Sequence, residues 1–255
     1  RAGAGGVVGT ELAANAPKDG YTLLIVSLVN TVNPWLYKLN YDPIKGFAPI
    51  AFLASSPNVL VVNPQVPAKT LAEFIALAKK QPGKVQYASG GIGSFMHLGG
   101  ELFKMSAGID LLHVPFRGGG PAMTDVMGGH TNAAFATIPT ATPQVKAGKV
   151  RALVVGASKR QAALPDVPTA DEAGLPGYHV ANWVGIVAPA GTPPAIVDKL
   201  NKEIAAIMQS PDLQKQLTNQ GLESNIMSPA QFGTFMEKEL VKWGRVVKEG
   251  GIKPQ

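Results

Sequence analysis

The stretch that decides the fold is YASGGIGSFMHLGGELF, residues 87–103. It reads as the end of a strand at Ser89, a glycine-rich turn, and a helix that begins after Ser94. Glycine lets the backbone adopt positive φ and approach a ligand closely, and a helix start presents unpaired N–H groups and a partial positive charge. The stretch therefore predicts an anion site that needs no catalytic side chain.

A second glycine loop, RGGGP at residues 117–121, follows a predicted strand over residues 109–116. It opens another helix, for which Gly120 can serve as the N-cap and Pro121 as the first helical residue. Hydroxyl donors accompany both loops, from Ser89 and Ser94 in the first and from Thr137 and Thr140 after a later strand. Two such sets of donors suit a carboxylate, although both loops could equally be tight connections that bind nothing.

The remaining pattern predicts a mostly parallel α/β sheet, because strands alternate with capped helices. Residues 21–26 form a continuous apolar run, typical of a strand buried on both faces, and residues 27–33 are expected to form a loop. Two more strands are predicted at residues 50–54 and 59–62. Capping boxes predict helix starts after Thr70 and after Ser228.

Extended segments at residues 112–116 and 179–183 bracket a middle portion of the chain. They predict two lobes, one of residues 1–111 and 183–255 and the other of residues 112–182, joined by a hinge that closes on a ligand. Each lobe would then carry one glycine loop.

Several function classes are excluded or disfavoured by what the 255 residues contain. The absence of cysteine removes disulfides and thiolate chemistry. Neither glycine loop matches a nucleotide-binding pattern, and Ser94 lacks the flanking glycines of a nucleophile elbow. The net charge of +6 is spread along the chain, without the basic-aromatic stripe of a nucleic-acid binder. We expect no metal and no cofactor. For His97 there are two alternatives, direct contact with a ligand or, more simply, a role in packing or hydrogen bonding.

The order of short motifs resembles one family over essentially the whole chain, the extracytoplasmic solute-binding proteins of tripartite tricarboxylate transporters (Bug proteins). The motifs that carry the resemblance are RAGAGG (1–6), PKDGYTLL (17–24), YDP (41–43), VVNP (61–64), the opening stretch, HVPF (113–116), KAGKVRAL (146–153), LPDVPT (164–169), EAGLPGY (172–178), APAGTP (188–193) and GIKP (251–254). The resemblance implies an α/β, two-lobed, periplasmic-binding-protein-like (type II) fold with a hinge, a further N-terminal strand before residue 1, and a periplasmic location.

The resemblance also implies which residues line the ligand cleft between the lobes. The predicted ligand-binding residues are Ser27, Asn30, Ser89, Gly91, Gly93, Ser94, Phe95, His97, Phe116, Gly118, Gly119 and Thr137. Two departures from the family pattern concern selectivity. Ala136 stands where many members have aspartate, which disfavours an amine-bearing ligand, and Phe95 stands where serine is common, which favours an aromatic or longer aliphatic acid.

We therefore predict a monomeric, non-enzymatic receptor that captures a small mono- or dicarboxylate and delivers it to the permease subunits of a membrane transporter. Two alternatives remain at this point: an enzyme that acts on a small organic acid on the same scaffold, and the ligand-sensing domain of a transcription regulator.

Overall fold

A computed structural model of the protein describes residues 6–253. Residues 1–5 of the RAGAGG motif and residue 254 of the GIKP motif therefore lie outside the described residues. The helices are α1 Val7–Ala14, α2 Leu28–Leu36, α3 Leu71–Lys80, α4 Phe95–Ala107, α5 Gly119–Gly128, α6 Ile138–Lys146, α7 Pro194–Met208, α8 Pro211–Asn219 and α9 Pro229–Glu249. The strands are β1 Leu24–Ser27, β2 Phe47–Val62, β3 Gln86–Ser89, β4 Leu112–Pro115, β5 Ala133–Thr137, β6 Arg151–Val155 and β7 Ala181–Pro189.

The chain divides into two compact units. Unit 1 contains residues 6–55, 183–217 and 223–253, and unit 2 contains residues 56–182 and 218–222. In unit 1, β1 pairs antiparallel with β7, which is the neighbour of β2. A small core forms where Ile50 and Ala51 pack with Ala188 and Val197.

Unit 2 has its own sheet and core. The end of β2 pairs antiparallel with β5 on one side and β6 on the other, and β3 lies parallel between β5 and β4. Aliphatic and methionine side chains from this sheet and from the helices that cover it, such as Val59, Met123 and Val126, are almost completely buried. Burial of this kind is the main source of stability.

One predicted lobe boundary coincides with the units and the other does not. The second predicted boundary, between residues 182 and 183, is also a boundary between unit 2 and unit 1. The first boundary was predicted between residues 111 and 112, but the units divide between residues 55 and 56. The physical reason is strand pairing, because β3 pairs with β4 and β5 and thereby joins residues 56–111 to the middle of the chain. Both glycine loops consequently belong to unit 2.

The local structure differs from the sequence-based expectations in several further places. Residues 28–36 form helix α2 and not a loop, since Asn30 Oδ1 accepts the Ser27 N–H at 2.9 Å and so caps the helix start. The two strands predicted around Pro57 are a single strand, β2. The run predicted to be buried on both faces contains β1, where only Val26 is buried and Ile25 is 67% exposed.

The predicted capping boxes of α3 and α9 are confirmed. The Glu73 N–H donates to Thr70 Oγ1 at 3.2 Å, and the Gln231 N–H donates to Ser228 Oγ at 3.2 Å. Helix α5, in contrast, begins at Gly119 with Gly118 as its N-cap, two residues earlier than the predicted start at Pro121.

Candidate functional site

The site is built where three neighbouring strands of unit 2 end. Strands β5, β3 and β4 run parallel, with Ala88 opposite Ala134 on one side and Val114 on the other. Because parallel strands end at the same edge, the helices that follow them, α6, α4 and α5, begin there too. The edge at the carboxyl ends of parallel strands is where open α/β sheets bind their ligands.

The first glycine loop connects β3 to α4. Gly93 has φ of +75°, a backbone conformation that residues other than glycine rarely adopt. Ser94 is the N-cap of α4, and its Oγ accepts the backbone N–H of His97 at 3.3 Å. The opening stretch therefore has the strand, turn and helix that its sequence predicts.

The second glycine loop lies between β4 and α5, and its backbone packs directly against the backbone of the first glycine loop. A Cβ atom placed on Gly90 would lie 3.1 Å from the Gly119 nitrogen and 3.2 Å from the Gly118 carbonyl carbon. Such distances are tighter than ordinary carbon contacts, so the absence of a side chain at residue 90 is what allows the two loops to approach each other.

The third helix start, that of α6, adds hydroxyl groups. Thr137 is the N-cap residue, and its Oγ1 lies 2.9 Å from Thr140 Oγ1 in a hydrogen bond. The first N–H of the helix, from Ile138, donates to Ser56 Oγ at 3.2 Å.

A cavity of about 280 Å³ lies among the three helix starts, entirely within unit 2. It is lined by Gly90, Ser94, Phe95, Met96, Gly119, Gly120, Ala136, Thr137, Thr140 and Asn182. None of these lining residues carries a formal charge, so hydroxyl groups, the Asn182 amide, backbone N–H groups and helix dipoles are the polar features of the wall. The ends of three helix dipoles make the cavity favourable for an anion, while Phe95, Met96 and Ala136 supply apolar surface.

Behind the first glycine loop lies a buried polar cluster. The His97 and His113 rings stack with their centroids 3.9 Å apart and their planes within 17°. His97 Nδ1 accepts the Gly93 N–H at 3.1 Å, and His113 Nε2 hydrogen-bonds Ser89 Oγ at 2.6 Å. Ser89 Oγ also accepts the Gly91 N–H at 3.1 Å, so both imidazoles are linked to the loop.

Charged and phenolic groups complete this cluster. The Tyr87 hydroxyl donates to Glu101 Oε1 at 2.6 Å, and Lys104 Nζ lies 3.1 Å from Glu101 Oε2. Burial, together with the Lys104 charge, lowers the pKa of His97 to about 4. Burial also lowers the pKa of His113 to about 4, with a further contribution from His97. Both rings are therefore neutral near pH 7.

The predicted site residues fall into three groups. Ser94, Phe95, Gly119 and Thr137 line the cavity. Supporting positions behind or beside the wall are held by Ser89, Gly91, Gly93, His97, Phe116 and Gly118. Ser27 and Asn30 belong to unit 1, where Asn30 Nδ2 donates to Thr10 Oγ1 at 3.1 Å, and their contact with a ligand stays a prediction.

The resemblance implies that the loops at residues 89–97 and 116–120 line the cleft, but the individual residues predicted to bind the ligand do not include all of the cavity wall. The lining residues absent from that prediction are Gly90, Met96, Gly120, Ala136, Thr140 and Asn182. Gly90, Met96 and Gly120 adjoin residues that were named, so the glycine loops themselves carried that signal. No sequence signal marked Asn182 as a site residue, because it lies in the apolar run of residues 179–188 and reaches the cavity only through the fold.

Residues 6–253 show neither a metal-binding cluster nor a membrane-spanning helix. No cluster of three or more histidine, aspartate or glutamate side chains there is arranged to hold a metal ion. Within the same range, no helix combines the length and apolar character needed to cross a bilayer.

Solved structures place the fold in the class of periplasmic binding proteins. The chain is similar to the periplasmic binding protein BugD, with 34% identity, a TM-score of 0.85, and coverage of 99% of this chain and 86% of that one. It is also similar to Rpa4515 of R. palustris, solved with adipate, with 34% identity, a TM-score of 0.89, and coverage of 100% and 86%. MatC of Rhodopseudomonas palustris, solved with bound malate, is 35% identical, with a TM-score of 0.83 and coverage of 96% and 85%.

The family is defined more narrowly by sequence. The family model TctC, described as the tripartite tricarboxylate transporter family receptor, matches residues 1–252. The chain therefore belongs to this family of transporter receptors, and the resemblance drawn from its motifs is confirmed.

Proposed function

We propose that this protein binds a small organic carboxylate in the cavity of unit 2 and delivers it, in the periplasm, to the membrane subunits of a tripartite transporter. The observation that carries the proposal is the convergence of the starts of α4, α5 and α6 on one cavity. Three helix dipoles and a set of hydroxyl and N–H donors favour an anion without needing a lysine or arginine. Adipate in Rpa4515 and malate in MatC support the choice of a carboxylate.

The apolar part of the cavity wall indicates which kind of carboxylate fits the cavity. Phe95, Met96 and Ala136 present no group that could pair with an ammonium ion or hydrogen-bond a hydroxyl. A carboxylate with a hydrocarbon body fits this wall better than an amino acid does, because a buried ammonium group without a counter-charge is costly.

The experiment is a thermal shift assay of the protein against mono- and dicarboxylates, including adipate, malate and hexanoate, followed by calorimetric titration of those that raise Tm. A ligand that binds only the folded state raises the unfolding temperature in proportion to occupancy. We expect at least one acid to do so, and no response to any acid would contradict the proposal.

A matched pair of variants locates the site. Thr140→Asp adds a carboxylate at the cavity, and Ala72→Asp adds one to the first turn of α3, outside it. Both changes place an acid in the first turn of a helix, where the dipole favours it, so neither should destabilise the fold. Only Thr140→Asp should weaken acid binding, by about tenfold or more through like-charge repulsion; equal affinities in the two variants would place the ligand elsewhere.

A further inference from the structure

The Gly93 amide is held by a side chain that lies outside the cavity wall. Its N–H donates to His97 Nδ1 at 3.1 Å in a buried hydrogen bond. The backbone N–H of His97 donates in turn to Ser94 Oγ at 3.3 Å. These two bonds link the end of the glycine loop to the first turn of α4, immediately beside the lining residues Ser94, Phe95 and Met96.

The acceptor role of Nδ1 fixes the state of the imidazole. A nitrogen that accepts a hydrogen bond carries no proton, so the ring must be neutral with its hydrogen on Nε2. The groups that face it are Tyr87 from β3, His113 from β4, and Glu101 and Lys104 from its own helix. Burial lowers the pKa of His97 to about 4, which keeps Nδ1 free of a proton at neutral pH.

Packing fixes the orientation of the same ring. His97 is 5% exposed, and its ring stacks on that of His113 at 3.9 Å. His113 is itself stacked on Tyr87, with the centroids 5.0 Å apart. An imidazole held between these contacts cannot turn toward the cavity without breaking both the stack and the bond to Gly93.

We infer that His97 is a positioning residue for the carboxylate site: through Nδ1 it fixes Gly93, and so sets the direction in which Ser94, Phe95 and the first N–H groups of α4 meet the ligand. The inference rests on the proposed function for its ligand, but the hydrogen bond that it invokes is testable without one. It assigns His97 an indirect role in place of the direct ligand contact that the family resemblance implies.

The test compares two polar variants of similar size. In His97→Asn the side-chain oxygen replaces Nδ1 as the acceptor, whereas in His97→Gln the amide lies one carbon further out, near the position of Nε2. His97→Asn should keep adipate or malate affinity within about threefold of the wild-type protein, and His97→Gln should lose about tenfold, because the buried Gly93 N–H is left unpaired. His130→Leu, at an exposed histidine of the same unit, serves as the control and should change nothing.

Hydrogen exchange at the Gly93 amide gives a readout that requires no ligand. The amide should be protected in the wild-type protein and in His97→Asn, and should exchange faster in His97→Gln, while circular dichroism verifies that each variant is folded. In the wild-type protein, NMR should also show Nδ1 unprotonated and coupled through the hydrogen bond to the Gly93 nitrogen.

The outcomes separate the inference from the proposed function. If the wild-type protein binds none of the acids in the panel, the carboxylate proposal fails, and Gly93 exchange alone decides whether His97 holds the loop. Equal exchange in His97→Asn and His97→Gln, or equal affinities for the acid, would overturn the positioning role.

Discussion

His97 illustrates how much one residue's role depends on its surroundings. Its place after the glycine loop made it a candidate for ligand contact, and hydrogen bonding within the helix start was the plainer alternative. The structure places its ring behind the loop, 5% exposed, with Nδ1 bonded to the Gly93 N–H. His97 is not among the residues that line the cavity, whereas Ser94, Phe95 and Met96 are. The spacing of one histidine does not distinguish these two roles, whereas the contacts of its ring favour the hydrogen-bonding role.

The two stacked histidines predict a pH-dependent stability. The pKa of both His97 and His113 is about 4 in the folded protein and near 6.5 when unfolded. Between these values the unfolded chain binds protons that the folded chain does not. The free energy of unfolding should therefore fall as pH decreases from about 6.5 to about 4, by at most about 1 kcal/mol per pH unit for each histidine.

Urea unfolding at pH 7, 6 and 5 measures this slope. His97→Asn removes one of the two titrating groups and should reduce the slope by about half. The matching change at the exposed residue, His130→Asn, should leave the slope as it is in the wild-type protein. An unchanged slope in His97→Asn would show that folding does not lower the pKa of this imidazole.

At the scale of the elements, the site is a property of helix starts and not of catalytic side chains. Capping residues and glycine loops predicted the starts of α3, α4 and α9 from local sequence. The start of α5 was misplaced, because Gly118 and Gly120 can both serve as N-caps and only the observed backbone, with Gly118 as the cap, distinguishes them. Local sequence marks where helices begin more reliably than which of them begin side by side.

Two N-caps provide a matched test of this view. Ser94→Ala and Thr70→Ala each remove the hydroxyl that accepts an N–H at the third helical residue. Each should lower the free energy of unfolding by about 1 kcal/mol. Only Ser94→Ala should weaken carboxylate binding, by about tenfold, since Ser94 lines the cavity and Thr70 starts a helix that does not.

Calorimetric titration of adipate or malate into both variants makes the comparison, after chemical denaturation has shown equal losses of stability. A similar loss of affinity in Thr70→Ala would mean that binding follows global stability and not the start of α4.

At the scale of the whole molecule, two properties bear on the proposed binding of an anion: a net charge of +6 and a candidate cavity whose lining residues are all uncharged. The overall charge attracts anions from a distance, and this attraction is screened by salt. The cavity itself relies on dipoles and short hydrogen bonds, which are screened much less. Ligand charge and ligand shape should therefore contribute separately to affinity.

Adipate and hexanoate, which share a six-carbon chain but carry two charges and one charge, test this separation. Raising the salt concentration from about 10 mM to 150 mM shortens the screening length severalfold. We expect the logarithm of adipate affinity to fall about twice as steeply as that of hexanoate affinity, since long-range attraction scales with ligand charge. Isothermal titration at several salt concentrations measures both slopes, and identical slopes would indicate that long-range attraction plays no part.

The sequence by itself determined the α/β class, the family, the glycine loops at 90–93 and 118–120, and the caps of α3 and α9, because each depends on residues close together in the chain. The sequence-based predictions that failed concern features that depend on contacts between strands far apart in the chain. Among residues 6–253, β1 pairs with β7 and lies at the end of the strand order, and Asn182 reaches the cavity only through the course of β7.

The tertiary structure alone decided that both glycine loops lie side by side in unit 2. The sequence suggested one loop in each lobe, since residues 90 and 118 fall on either side of the predicted boundary at residue 112. The parallel pairing of β3 with β4, from Gln86 opposite Leu112 to Ser89 opposite Pro115, brings the two strand ends together. Strand register is set by hydrogen bonds between segments far apart in sequence, so only the folded sheet could bring the two glycine loops together at one cavity.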